Sequence, residues 1–151
     1  MIFNLKLINT QDSERLLFDI ISRYPRCFGN ILTIMDTGSP RTIISAKDVF
    51  LLKIPITNLE ASSCIRGFGR GSVPCKILKN FKFLIKSNDE KIKYIEMPVH
   101  VVDISALQKM SQEMQENAFK VPTVIGLDFL RTQNMKLVVD FKNNSSYFEE
   151  V

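Results

Sequence analysis

The chain has 151 residues, 45% of them hydrophobic and 24% charged, enough for one globular domain with a real core. Its net charge of +4 is carried by lysines scattered through strand-like alternations, and no clustered basic face or aromatic-basic motif points to nucleic acid. No apolar run reaches the roughly 18–20 residues of a membrane-crossing helix, and residues 1–7 lack the unbroken apolar centre of a signal peptide, so a cytoplasmic protein without membrane contact is expected.

Residues 2–8 alternate apolar and polar side chains and read as a strand, followed by a polar turn over 9–14. A second apolar strand covers 16–22. Pro25 and Gly29 mark residues 24–30 as a loop. The β-branched run 31–35 is a buried strand, and it delivers Asp36-Thr37-Gly38-Ser39 before strand-like sequence resumes. An acid at the end of an apolar strand is costly to bury unless hydrogen bonds or function compensate. The adjacent glycine suits a backbone that turns tightly or lets another group approach closely.

Ser45 with Asp48 three residues on reads as a helix N-cap and its partner, placing a short helix over 46–53 that stops ahead of Pro55. The run Cys64 to Val73 then holds glycines at 67, 69 and 71 between strand-like flanks, the composition of a hairpin tip. It matches part of a dinucleotide fingerprint, but Pro74 and the strand-like residues 75–78 replace the helix which that motif requires. A mobile β-flap and an ordinary loop both fit it.

Residues 81–86 and 91–97 form two further strands around a turn at 87–90, and 99–102 extend the sheet past Pro98. Leu107, Met110 and Met114 recur at helical spacing, giving a helix over 105–117 whose methionines pack a core. Residues 123–125 are a buried strand running into Gly126 and a short helix over 127–132. A strand at 135–141, a turn at Asn143-Asn144 and a last strand at 146–149 complete a mostly β domain covering residues 1–151.

Cys27, Cys64 and Cys75 are odd in number and share no close-paired spacing, so neither a disulfide framework nor a zinc site is indicated. The one histidine, His100, lies in an apolar strand, which leaves little material for a histidine metal site or a Ser-His-Asp triad. No metal and no cofactor are expected.

An Asp-Thr/Ser-Gly triplet alone arises in on the order of one chain in fifteen of this length, so context must carry it. Here it follows a buried strand, a glycine-rich hairpin comes next, and a strand-Gly-helix segment lies near the end. In this order Ile34-Met35-Asp36-Thr37-Gly38-Ser39 and Val124-Ile125-Gly126-Leu127-Asp128-Phe129-Leu130 resemble the retropepsin-like aspartic proteases, the single-domain family of retroviral and DNA-damage-inducible shuttle proteases. The glycine-rich tip is a looser third match.

That resemblance implies a closed β-barrel and an aspartic endopeptidase acting on extended polypeptides at acidic pH. Amide hydrolysis by carboxylates needs two of them sharing a proton, one activating water and one protonating the carbonyl oxygen. Only one Asp-Thr/Ser-Gly is present, and neither Asp128 nor Asp140 carries the following hydroxyl and glycine. The second acid is therefore expected from a second copy, in a two-fold homodimer. Carried over residue by residue, Asp36 is the catalytic acid or base and Thr37 bonds across to the partner loop. Gly38 gives its N–H to the carboxylate, and Ser39, where retroviral enzymes usually have alanine, donates to the outer carboxylate oxygen. Phe68, between Gly67 and Gly69, covers substrate, while Ile125 and Gly126 pack beside the acid-bearing loop. The helix at 105–117 has no counterpart in the smallest retroviral enzymes, and both terminal strands are candidates for an intersubunit sheet. Three other readings stay open: a pepsin-like barrel kept as a peptide-binding or dimerisation module without useful turnover, a plain turn in an unrelated β protein, and a metal-dependent hydrolase, for which one histidine and no ligand spacing give little material.

Overall fold

The computed structural model describes residues 1–9, 13–66 and 72–151. Among the described residues the order is β1 (Ile2–Asn4), β2 (Lys6–Asn9), β3 (Glu14–Tyr24), β4 (Cys27–Met35), β5 (Ile43–Ile44), α1 (Ala46–Leu51), β6 (Glu60–Arg66), β7 (Ser72–Lys86), β8 (Ile92–Val102), α2 (Ile104–Leu107), α3 (Gln112–Lys120), β9 (Thr123–Ile125), α4 (Leu127–Thr132), β10 (Met135–Asp140) and β11 (Ser145–Glu150). The larger sheet runs β2-β3-β4-β9-β5-β8-β7-β6, with a further pairing of β3 to β7 through Ile21↔Leu84 and Ser22↔Phe83. The smaller sheet is β1-β11-β10.

The expected strand over residues 2–8 is two strands serving different sheets. Leu5 is the break: its N–H donates to Ser146 O at 2.8 Å, so the chain leaves β11 there and crosses to β3. Phe3 is fully buried and Leu5 nearly so, in one cluster with Phe18, Phe129 and Phe148. Trimming residues 1–8 would thus remove core as well as any intersubunit edge. Phe3→Ala is expected to cost about 3–5 kcal/mol, as for other fully buried phenylalanines. Denaturant unfolding measures it, and a loss under about 1 kcal/mol would contradict this packing.

The expected loop at 24–30 is instead a tight hairpin. Tyr24 pairs with Cys27 across Pro25-Arg26, and Arg26 adopts φ 65°, the positive value that the second central residue of a type II turn requires. Strand β7 is continuous where two strands were expected. A bulge between Leu78 and Phe81 places Lys79 and Asn80 outside and shifts the alternation by one residue. Leu78 before the bulge and Phe81, Phe83 and Ile85 after it thus pack into the same core cluster, whereas Val73 and Cys75 pack into a second, smaller one.

The single helix expected at 105–117 is two helices. Asp103 caps α2 by accepting from Ala106 N, and Ser111 caps α3 by accepting from Met114 N. Ser111 takes extended backbone at φ −60° and ψ 154°, which ends any helix running into it. Around α1, by contrast, Ser45 accepts from Asp48 N as its spacing foretold.

Aromatic rings connect the two sheets. Phe148 of β11 packs edge-on to Phe18 of β3 at 5.1 Å and lies 5.2 Å from Phe129 of α4, which in turn meets Phe83 of β7 at 6.3 Å. These contacts pin α4, and α4 begins at Gly126. Among the described residues no helix is long and apolar enough to cross a membrane.

Candidate active site

Strand β4 carries the acid to its place. Its neighbours are β3, antiparallel, and β9, parallel, with Thr33↔Thr123, Ile34↔Val124 and Met35↔Ile125 in register. Parallel pairing sends Asp36 and Gly126 out of the sheet side by side. Asp36 N donates to Ile125 O at 3.0 Å, which continues that pairing by one bond into the loop.

Within the loop, Gly38 N donates to Asp36 Oδ1 at 2.8 Å and Ser39 N to Asp36 O at 3.1 Å. A Cβ on residue 38 would stand 3.1 Å from that same carboxylate oxygen, so glycine gives the acid room to meet the N–H. The Ser39 hydroxyl is differently placed from expectation. It donates to Arg41 O at 2.7 Å, bracing the loop exit and leaving the carboxylate to Gly38.

Asp36, Thr37 and Gly38 are exposed on the single chain, although an acid at the end of a β-branched strand suggests burial. The sheet ends at Met35 and the loop projects past it.

A brace from α4 holds the loop from behind. Leu127 N donates to Ser39 O at 2.9 Å and Asp128 N to Pro40 O at 3.2 Å. The Asp128 carboxylate accepts from Thr42 N at 2.9 Å, from Thr42 Oγ1 at 2.7 Å and from Phe129 N at 2.8 Å. Thr42 Oγ1 accepts in turn from Gly126 N at 3.1 Å. Asp128, weighed above as a rival acid, thus has a structural post, in the first turn of a helix where a carboxylate is favoured. Asp128→Ala removes the acceptor of three hydrogen bonds and is expected to cost about 2–3 kcal/mol in thermal or denaturant unfolding. Asp128→Asn keeps one acceptor oxygen and should cost less, and equal losses would argue against the brace.

A second buried network supports the neighbouring strands. Thr123 Oγ1 accepts from Ser45 N at 2.9 Å and donates to Asp48 Oδ2, which also takes the Ser45 hydroxyl at 3.0 Å. Asp140, the other rival, is bound by Asn143 through backbone and side chain, and those bonds hold its carboxyl below the ordinary value. The Asp48, Asp128 and Asp140 carboxylates are each engaged in structure. The Asp36 carboxylate is exposed and oriented by Gly38 N. Alone it can take up or release one proton, which is half of what amide hydrolysis by a carboxylate pair requires.

The structure brings Asp36, Thr37, Gly38 and Ser39 together with Ile125 and Gly126. Gly67, Phe68 and Gly69 lie outside the described residues. Thr42 and Thr123 were not singled out from sequence, because their partners are far away along the chain, and Asp48 was read only as the cap partner of Ser45.

The chain matches no protein-family model and no curated protein in sequence. In structure it is similar to a retropepsin-like aspartic protease from Rickettsia conorii, with a TM-score of 0.61 at 10% identity over 99% of this chain and 92% of that one. It is also similar to EIAV protease complexed with the inhibitor HBY-793, with a TM-score of 0.52 at 18% identity over 87% of this chain and 100% of that one. The fold is retropepsin-like and mostly β.

Proposed function

We propose that this protein is an aspartic endopeptidase that works as a homodimer, with one Asp36 from each copy forming the catalytic pair. The observation that carries the proposal is the exposed Asp36-Thr37-Gly38-Ser39 loop, braced by β9, Gly126 and α4, in a retropepsin-like fold. The other acids weighed as its partner are engaged in structure, which favours a second copy as the source of the second carboxylate.

In this reading two carboxylates close enough to repel share one proton. The ionised one draws a proton from water as it attacks the scissile carbonyl, and the protonated one hydrogen-bonds the carbonyl oxygen as negative charge develops there. Gly38 N–H stabilises the ionised carboxylate, and the exposed Thr37 hydroxyl is free to reach the partner loop. The substrate is an extended polypeptide, held by strand-like main-chain hydrogen bonds. The β3–β7 pairing, between strands apart in the larger sheet's order, favours a barrel-like curling of that sheet.

The test is incubation with unfolded polypeptides across acid to neutral pH, beside a pepstatin-treated sample and Asp36→Asn. Cleavage with a bell-shaped profile peaking below neutrality, lost in both controls, is expected, because the pair must hold one proton between two carboxylates. A rate still rising at about pH 9 would exclude a carboxylate pair. Peptide binding without cleavage would favour the module reading, and a monomer at all working concentrations would remove the second acid.

A further inference from the structure

We infer that His100 is a positioning residue for the Asp36 loop: through an Nε2 acceptor and an Nδ1–H donor it ties Arg41, at the loop exit, to Ser62 on β6. Its effect on turnover rests on the protease reading, whereas the tie itself does not.

His100 lies in β8, between Ile43 of β5 and Ile77 of β7, and its N–H donates to Thr42 O at 3.0 Å. The ring is buried, at 7% exposure. Nε2 stands 2.7 Å from Arg41 Nη1 and Nδ1 stands 3.0 Å from Ser62 Oγ. A guanidinium can only donate, so Nε2 must present its lone pair. A neutral imidazole then carries its proton on Nδ1, facing the serine hydroxyl. The partners set the tautomer.

What the ring holds matters to the site. Arg41 O accepts the Ser39 hydroxyl, and the Arg41 backbone is what a side chain at Gly126 would strike. Ser62 belongs to β6, the last strand in the sheet order, paired to β7 at Ser62↔Cys75. The ring therefore links the exit of the acid-bearing loop to the strand at the sheet's edge.

A second proton on the ring would occupy Nε2 and set an imidazolium against the guanidinium. The charged groups around His100 are Arg41, the Asp128 carboxylate already bonded to Thr42, and Arg131 on the same groove wall. Burial and the Arg41 charge hold the ring below its ordinary value, outweighing the opposite pull of Asp128. The unfolded chain thus takes up the proton first as pH falls. The tie contributes fully above about pH 6.5 and is lost as pH drops from there through the lower folded value.

The chain has one histidine, so its ring resonances are unambiguous in NMR. The Nδ1–H tautomer at neutral pH and a titration midpoint below about 6.5 are expected. An Nε2–H tautomer, or a midpoint at or above the ordinary value, would overturn the tie. For turnover, His100→Leu should lower kcat/KM about tenfold, mainly through kcat, by removing a charge-assisted hydrogen bond. His100→Gln offers Arg41 an oxygen acceptor that does not titrate. It should recover most of that loss and move the acid limb of the pH profile to lower pH. A Gln profile that superimposes on the native one would overturn the positioning role. A native chain that cleaves nothing at any pH would count against the protease reading, and the ring tautomer would still decide the tie.

Discussion

Asp36→Asn is expected to abolish peptide hydrolysis, lowering kcat/KM by about 10³-fold or more, while leaving the fold intact. Asn Oδ1 can still accept from Gly38 N, and the side chain is exposed, so stability should stay within about 0.5 kcal/mol of the native chain. What disappears is the ability to share a proton between two carboxylates. The dimer reading adds a sharper result from mixing. Equal amounts of native and Asn chains, allowed to exchange, leave about a quarter of the dimers with both acids, and activity should fall to about that fraction. A fall to one half would mean that each chain acts alone.

Gly126→Ala is expected to cost stability and activity together. Its backbone, at φ −98° and ψ −176°, is open to any residue, so conformation is not the obstacle. Space is: a Cβ there would lie 2.5 Å from Arg41 C and O and 2.7 Å from Arg41 N. Backbone atoms cannot swing aside as a side-chain tip can. Either β9 or the loop exit must shift, which strains the Gly126 N to Thr42 Oγ1 bond and the contacts of Leu127 and Asp128 with the loop. A cost of about 3 kcal/mol or more follows, and at this chain length the melting temperature should drop by roughly 6–12 °C. Activity should fall further than the folded fraction does, since the displaced backbone is the one supporting Ser39. An alanine variant melting within about 2 °C of the native chain would show that the close approach does not matter.

The Asp36 loop could be read from sequence because its chemistry is local. A β-branched run, an acid, a hydroxyl and a glycine are contiguous, and the Ile125-Gly126 segment is contiguous too. The strand break at Leu5 was hidden because alternation over residues 3–7 runs straight through it, and only Ser146, far along the chain, reveals the crossing. The two helices at 104–120 looked like one because Leu107, Met110 and Met114 keep helical spacing through the break. Ser111 ahead of Gln112-Glu113 was the available capping signal. Asp128 looked like a spare acid, and its place two residues after Gly126, at a helix start, was the clue to its bracing role. The Ser39 hydroxyl had two acceptors within reach in principle, and no local pattern distinguishes Arg41 O from a carboxylate. His100 was correctly read as a strand residue, but the Arg41 and Ser62 contacts on either side of it depend on tertiary packing.

The brace behind the loop also sets an order of assembly. The Thr42–Asp128 and Gly126–Thr42 bonds join residues 86 and 84 apart in the chain. Contacts that distant form late, after the entropy of closing a long segment has been overcome. On the ribosome, residues 36–42 emerge long before 126–128 do, so the loop has no support until residue 128 has been made. If the proposed pair of acids is correct, a second finished chain must then be met as well. A nascent copy would therefore be harmless to itself and to the chains being made beside it, and cutting would begin only as completed molecules accumulate.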